Sequence, residues 1–286
     1  MDITGFIKRY PVWAFLAIAF IYTWALMSVL VVSTPPGGME AGISPSFFFL
    51  AVLGGIGPSL AGIIVTRVVG GKGSIRALLA RLGQWRVNIG WYAVALLMIP
   101  LLSIAALAIE AAMGMPVPTI DDIASNVALG IIWPIFAALG EEFGWRGFAL
   151  PKLQSRHTAL VSSLIIGVAW GMWHLPMDFI GMGHYGVLFI PNFIVISIQV
   201  IALAILMTWV YNNTKGSMLL AVLFHASITA SAIIFSSLTL SAMDSLRHQL
   251  VYTALLWLIA VIVLATAGAK RLVREPKDKQ PNSAWR

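Results

Sequence analysis

The stretch AALGEEFGWRGFAL (137–150) puts two adjacent acids, Glu141 and Glu142, and one base, Arg146, into a run that is otherwise apolar. Its surroundings say what kind of helix it is. The 286-residue chain is 59% hydrophobic and only 10% charged, with a mean hydropathy of +0.91. A soluble domain carries about 25% charged residues, so the composition is that of an integral membrane protein, and the acids and base of 137–150 are intramembrane groups. Short alternating segments of the kind that build outer-membrane barrels are not evident. The chain has no cysteine, which excludes thiol nucleophiles, thiolate-metal centres and a disulfide framework.

Apolar runs of about 20 residues, the length that crosses a bilayer core as a helix, recur at 11–32, 46–69, 90–113, 126–149, 159–180, 187–211, 217–238 and 249–268. The expected fold is therefore all-α, a polytopic membrane bundle of eight transmembrane helices. Lys8 and Arg9 precede the first run, which is too long for a typical cleaved signal and is read as a retained span. Basic residues fall on one set of loops: Lys8 and Arg9, Arg67 to Arg86, Lys152 and Arg156, Lys215, and the tail from Lys270. The alternate loops carry Glu40, Asp121, Asp122, Asp178 and Asp244, with Arg247 their one strong base. The positive-inside rule places both termini in the cytoplasm. A net charge of +7 so distributed suits lipid headgroups rather than nucleic acid. The organisation expected is one membrane domain over 1–269 and a disordered basic cytoplasmic tail over 270–286, in the inner (plasma) membrane.

Two local patterns add detail. SIRALLARLGQWRV (74–87) sets Ile75, Leu78, Leu79 and Leu82 on one face and Arg76, Arg81 and Arg86 elsewhere, as in a helix lying on the membrane surface or, equally, a basic loop whose side chains snorkel. LGGIGPSLAG (53–62) supplies small residues for close helix packing and a kink at Pro58.

Each charge at the centre of a membrane helix costs about 2.5–3.5 kcal/mol on insertion scales. Glu142 and Arg146, at i and i+4 with the acid first, offset part of this as a pair. Glu141 points about 100° away from Glu142, so its partners must come from other helices. Two of these carry a deep histidine: His174 in VAWGMWHLP (168–176), one turn after Trp170, and His225 in LLAVLFHASITA (219–230), one turn before Thr229. Taken singly, either histidine could simply bond a neighbouring carbonyl. Together with Glu141 they point to a catalytic or ion-handling site.

Glu141-Glu142-x-x-x-Arg146, then Trp170-x-x-x-His174, then His225 with a polar residue four positions on, resemble the three motifs of the CPBP (Abi) family of intramembrane proteases, which includes the type II CAAX prenyl endopeptidases. GPSLAG and the WRV…WY pattern from Trp85 to Tyr92 are similar to it as well. The resemblance implies an eight-helix bundle in which Glu141, helped by His174, activates water, while His225 and residue 229 stabilise the oxyanion. Where the family commonly has Asn or Asp, this chain has Thr229, a single hydroxyl donor. Glu142, Arg146 and Trp170 are expected to support the site. No cofactor is favoured; if zinc or another divalent metal takes part, Glu141, His174 and His225 are its candidate ligands.

The implied partner is a hydrophobic or membrane-anchored peptide, including CAAX-type substrates, within the lipid bilayer. A non-catalytic peptide-binding or bacteriocin self-immunity protein on the same scaffold is the alternative. An ion-coupled transporter would also use buried Glu and His, but it usually shows repeats that this chain lacks.

Overall fold

The computed structural model describes residues 2–33, 45–236 and 240–273, and every regular element among them is helical. After a short α1 (Ile3–Arg9), the spans are α2 (Pro11–Ser33), the broken pair α3 (Pro45–Gly55) and α4 (Gly57–Gly70), α6 (Ile89–Ala112), α7 (Ile120–Gly144), the pair α9 (Ala159–Trp173) and α10 (Leu175–Met182), α11 (Phe189–Asn213), α12 (Met218–Ile234) and α13 (Ala242–Ala267). Between them lie the surface helix α5 (Ser74–Ala80) and, after a π-helical turn (Trp145–Ala149), α8 (Leu150–Gln154). Among the described residues six stretches are long and apolar enough to cross a membrane, and the α9–α10 pair, bent by 47°, makes up to seven. The remaining one of the eight expected runs, 217–238, forms α12, which at 17 residues is shorter. The chain is thus a multi-pass, all-α membrane protein.

Where observed and expected boundaries differ, local chemistry accounts for it. α7 begins at Ile120 because Thr119 and Asp122 form a capping box, so Asp121 and Asp122 occupy its first turn rather than a loop. The 159–180 run is not straight. Pro176 has no N–H for the Met172 carbonyl, and the helix breaks at His174. Pro58 acts similarly, interrupting the helix at Ile56 within the single span Phe47–Gly70. The Gly54 carbonyl that Pro58 cannot serve accepts instead from the Thr23 hydroxyl of α2 at 2.8 Å. The surface helix is shorter than the 74–87 pattern suggests: Leu78 is buried, Leu79 is 44% exposed, and Arg81 turns inward instead of outward.

Helix contacts run around a ring: α2 to α4, α4 to α7, α7 to α12, α12 to α6, α6 to α13, α13 to α11, α11 to α9, and more lightly α9 back to α2. The α4–α7 contact is backbone on backbone. A Cβ on Gly62 would lie 2.7 Å from Gly144 Cα, one on Gly140 would lie 2.9 Å from Gly55 O, and one on Gly144 would overlap Pro58 O. The Ser59 hydroxyl donates to Leu139 O at 2.8 Å across the same contact. The small-residue stretch read from the sequence therefore holds the helix that carries Glu141 and Glu142 in one fixed place.

Glu110, an acid buried within α6, is matched by His248 of α13, whose Nδ1 lies 3.0 Å from both carboxylate oxygens. Residues 270–273, placed by the sequence in the tail, pack against the bundle. The carbonyls of Ala269 and Lys270 accept from the first turn of α9, those of Arg271 and Leu272 accept from Asn212 and Asn213, and Leu272 is fully buried. Glu40 and residues 274–286 lie outside the described residues.

Candidate functional site

Glu141, His174, His225 and Thr229, brought in by α7, by the α9–α10 break and by α12, line one cavity of about 160 Å³. Its remaining wall is mostly apolar, with Met27, Ala51, Trp133, Phe136, Trp173 and Met177 among the lining residues. Trp133 and Ala137 precede Glu141 by eight and four residues, on the same stripe of α7, and Met177 follows His174 by three. The spacing that places them was in the sequence, but without a partner helix it pointed only to packing.

The adjacent acids diverge as the helical period requires. Glu142 is fully buried, and its Oε1 accepts from Arg146 Nη1 at 2.9 Å and from His225 Nδ1 at 2.7 Å. The first of these contacts is the expected i, i+4 pair; the second was not foreseen and makes Glu142 the anchor of His225. Glu141 finds its partners on other helices. Its Oε2 accepts from Trp170 Nε1 at 2.6 Å, and its Oε1 lies 3.7 Å from His225 Nε2. The Trp170 ring also sits 4.5 Å from Arg146 Cζ, a cation–π contact. One indole therefore orients the free acid with its N–H and covers the buried base with its face.

Charge balance follows from these contacts. With Nδ1–H given to Glu142, a neutral His225 presents a bare Nε2 to Glu141 Oε1 across 3.7 Å. Two facing lone pairs repel, so one proton, on the acid or on the imidazole, belongs between them. With Arg146 against Glu142, that proton makes the four groups neutral overall, as burial demands.

His174 ends α9, and its Nδ1 lies 2.9 Å from Trp170 O. A carbonyl can only accept, so Nδ1 carries the hydrogen and the other nitrogen, Nε2, is left as an acceptor when the ring is neutral. The bland reading of a lone membrane histidine, a bond to a nearby carbonyl, is thus true of one nitrogen and leaves the other available. Its ring packs edge-on to Trp173, centroids 4.8 Å apart. Arg146 begins no regular turn: it lies in the π-helical segment Trp145–Ala149, whose closing bond runs from Leu150 N–H to Trp145 O. Such π-bulges are frequent at functional sites; here the segment follows directly on the turn that carries both acids. Buried beside the cavity, Glu142 Oε2, Arg146 Nε and Nη2 and Trp173 Nε1 have no protein partner among the described residues. Among those residues, no three His, Asp or Glu side chains converge as metal ligands do.

Residues 123–231 match the family model of Rce1-like type II CAAX prenyl endopeptidases. Over 133 residues the chain is 27% identical to CAAX prenyl protease 2 of Methanococcus maripaludis, an alignment that spans 46% of each protein, so the chain matches about half the length of that relative. Glu141, Glu142, Arg146, Trp170, His174, His225 and Thr229 all fall inside the matched segment. The resemblance drawn from the three motifs is therefore found independently: the central segment is similar to the Rce1-like model.

Proposed function

We propose that this chain is an intramembrane endopeptidase that hydrolyses hydrophobic or membrane-anchored peptides, CAAX-type substrates included, with Glu141 as the base that activates water. The observation that carries the reading is the convergence of Glu141, His174, His225 and Thr229, from three helices, on one cavity inside an Rce1-like segment. His174 Nε2 accepts one hydrogen of the attacking water and Glu141 takes the other as a proton. The water oxygen bonds to the peptide carbonyl carbon, and the carbonyl's π pair moves onto its oxygen. His225 Nε2–H, in the imidazolium form that Glu142 and Glu141 sustain, and the Thr229 hydroxyl donate to that oxyanion. On collapse the C–N bond breaks, and the proton held by Glu141 goes to the leaving nitrogen.

Glu142 and Arg146 keep His225 oriented, and Trp170 keeps Glu141 oriented. The mechanism proposed uses no metal: each imidazole has committed its Nδ1 to a protein acceptor, and the remaining nitrogens serve water and oxyanion. The expected setting is the inner (plasma) membrane, with the basic loops in the cytoplasm and the substrate approaching through the bilayer.

The test is cleavage of a panel of hydrophobic peptides, prenylated and plain, by the detergent-purified wild type, with and without a strong zinc chelator. Cleavage that survives the chelator is expected. Cleavage abolished by the chelator would transfer the role of water activation to a metal. Peptide retention without cleavage would replace this reading with the non-catalytic, peptide-binding one.

A further inference from the structure

At the end of the bundle that carries the basic loops, away from the catalytic cavity, lies a second, open pocket of about 520 Å³. Among the described residues it is lined by Arg81, Gln154, Asn212, Lys215, Gly216 and Arg271 with others, three bases and no acid. The lining comes from the ends of α8 and α11, the turn before α12, the turn after α5 and the segment after α13.

Arg81 sets the character of this pocket. Its Nε and Nη2 donate to Gly216 O at 3.3 and 3.1 Å, and its Nη1 donates to Gly147 O at 3.1 Å. Its guanidinium lies over the Tyr211 ring, 5.2 Å from the centroid. These partners are neutral, and they use three of the five N–H donors, leaving two. Among the described residues no carboxylate pairs with Arg81 or with Lys215. Desolvation by burial holds the Arg81 guanidinium below its usual pKa, with no acid acting to raise it. A half-buried cation with spare donors, flanked by Lys215 and an amide pair (Gln154 and Asn212, 3.0 and 3.2 Å apart), with no carboxylate on Arg81 or Lys215 among the described residues, is the chemistry that takes an oxyanion.

We infer that this pocket binds a phosphate group, of the kind an anionic phospholipid presents at the membrane surface. Basic pockets between helix ends suit lipid headgroups, and the membrane supplies such a group at high local concentration. The site also reaches the catalytic end of α7. Arg81 joins the pocket to Gly147 O, in the same π turn as Arg146, so an anion held against Arg81 fixes the turn that follows Glu142.

The experiment uses the full chain in nanodiscs of phosphatidylcholine alone, of phosphatidylcholine with phosphatidylglycerol, and of phosphatidylcholine with millimolar inorganic phosphate. Bound lipid is counted by native mass spectrometry, and the melting temperature is followed by tryptophan fluorescence. The variant is Lys215→Asn with Arg271→Gln. Asparagine tolerates the positive φ of residue 215 (57°), and Arg81, which holds the fold, is left in place. The wild type is expected to retain phosphatidylglycerol and to melt higher with it, and the double variant to lose that retention by roughly tenfold or more. Stabilisation by inorganic phosphate that the double variant loses would keep the site and assign it to a soluble phosphate. Equal retention and equal melting shifts in wild type and variant, in both arms, would overturn the proposal.

Discussion

Two neighbouring glutamates in one helix do different work because a helix turns about 100° per residue. Glu142 faces Arg146 and His225 and is fully buried, with both contacts under 3 Å. Glu141 faces the cavity, held by one short bond from Trp170. The i, i+4 spacing made the Arg146 pair legible in the sequence, and the motif resemblance marked Trp170, His174 and His225. What could not be read was which acid His225 meets, since that depends on the rotation of α12 against α7. Thr229 lines the cavity beside His225 and offers one donor where the resembling family commonly has an amide or acid. If it serves the oxyanion, Thr229→Asn restores a longer donor. The expected outcome is a kcat/KM for the best peptide raised by up to about tenfold, a fraction of what one oxyanion donor is worth in other enzymes, while Thr229→Val lowers it. Equal rates in all three proteins would remove residue 229 from the mechanism.

At the scale of elements, the site depends on where α7 stands and on where α9 stops. α7 is fixed by the glycine contact with α4, in which Gly62, Gly140 and Gly144 leave no space for a methyl group. Gly144→Ala pushes its Cβ into the Pro58 carbonyl, which is backbone and cannot swing aside. Overpacking of this kind costs about 1–3 kcal/mol, so a clear fall in melting temperature is expected. Gly55→Ala, whose Cβ meets nothing within 4 Å, should by contrast leave it almost unchanged. The two variants should be compared by tryptophan fluorescence in the same detergent. The small-residue run 53–62 announced such a packing face, whereas its partner, the glycines spaced through 140–144, was hidden around the Glu-Glu-x-x-x-Arg motif. The break at His174 was legible only in part. Pro176 forecasts a disturbed helix, but the size of the bend comes from tertiary packing of α10 against α2 and α11.

At the scale of the molecule, each of the eight apolar runs read from the sequence contains a helix among the described residues, because runs of membrane length have few alternatives once their backbone must satisfy itself. Their ring-like order was not legible, since membrane helices of similar composition carry no sequence label for their neighbours. The basic pocket was hidden for the same reason: Arg81, Lys215 and Arg271 are far apart in the chain and meet only because five helix ends converge. The orientation proposed from the charge alternation, both termini on the cytoplasmic side, can be tested cleanly because the chain has no cysteine. Single cysteines at Lys72 and Lys152 should be shielded from an impermeant maleimide in intact cells and labelled after lysis. A cysteine at Asp244 should be labelled from outside. The reverse pattern would invert the topology.

The central claim is that Glu141 activates water, and the most direct measurement is the initial cleavage rate of the best peptide by Glu141→Gln beside the wild type. Both proteins would be purified in parallel and shown to melt at the same temperature, with products identified by mass spectrometry. Glutamine keeps the shape and can still accept from Trp170, but it cannot take a proton at neutral pH. The account predicts a loss of about 10²–10⁴-fold, the usual worth of a general base. A Glu141→Gln protein that cleaves the same bond at the wild-type rate would contradict it.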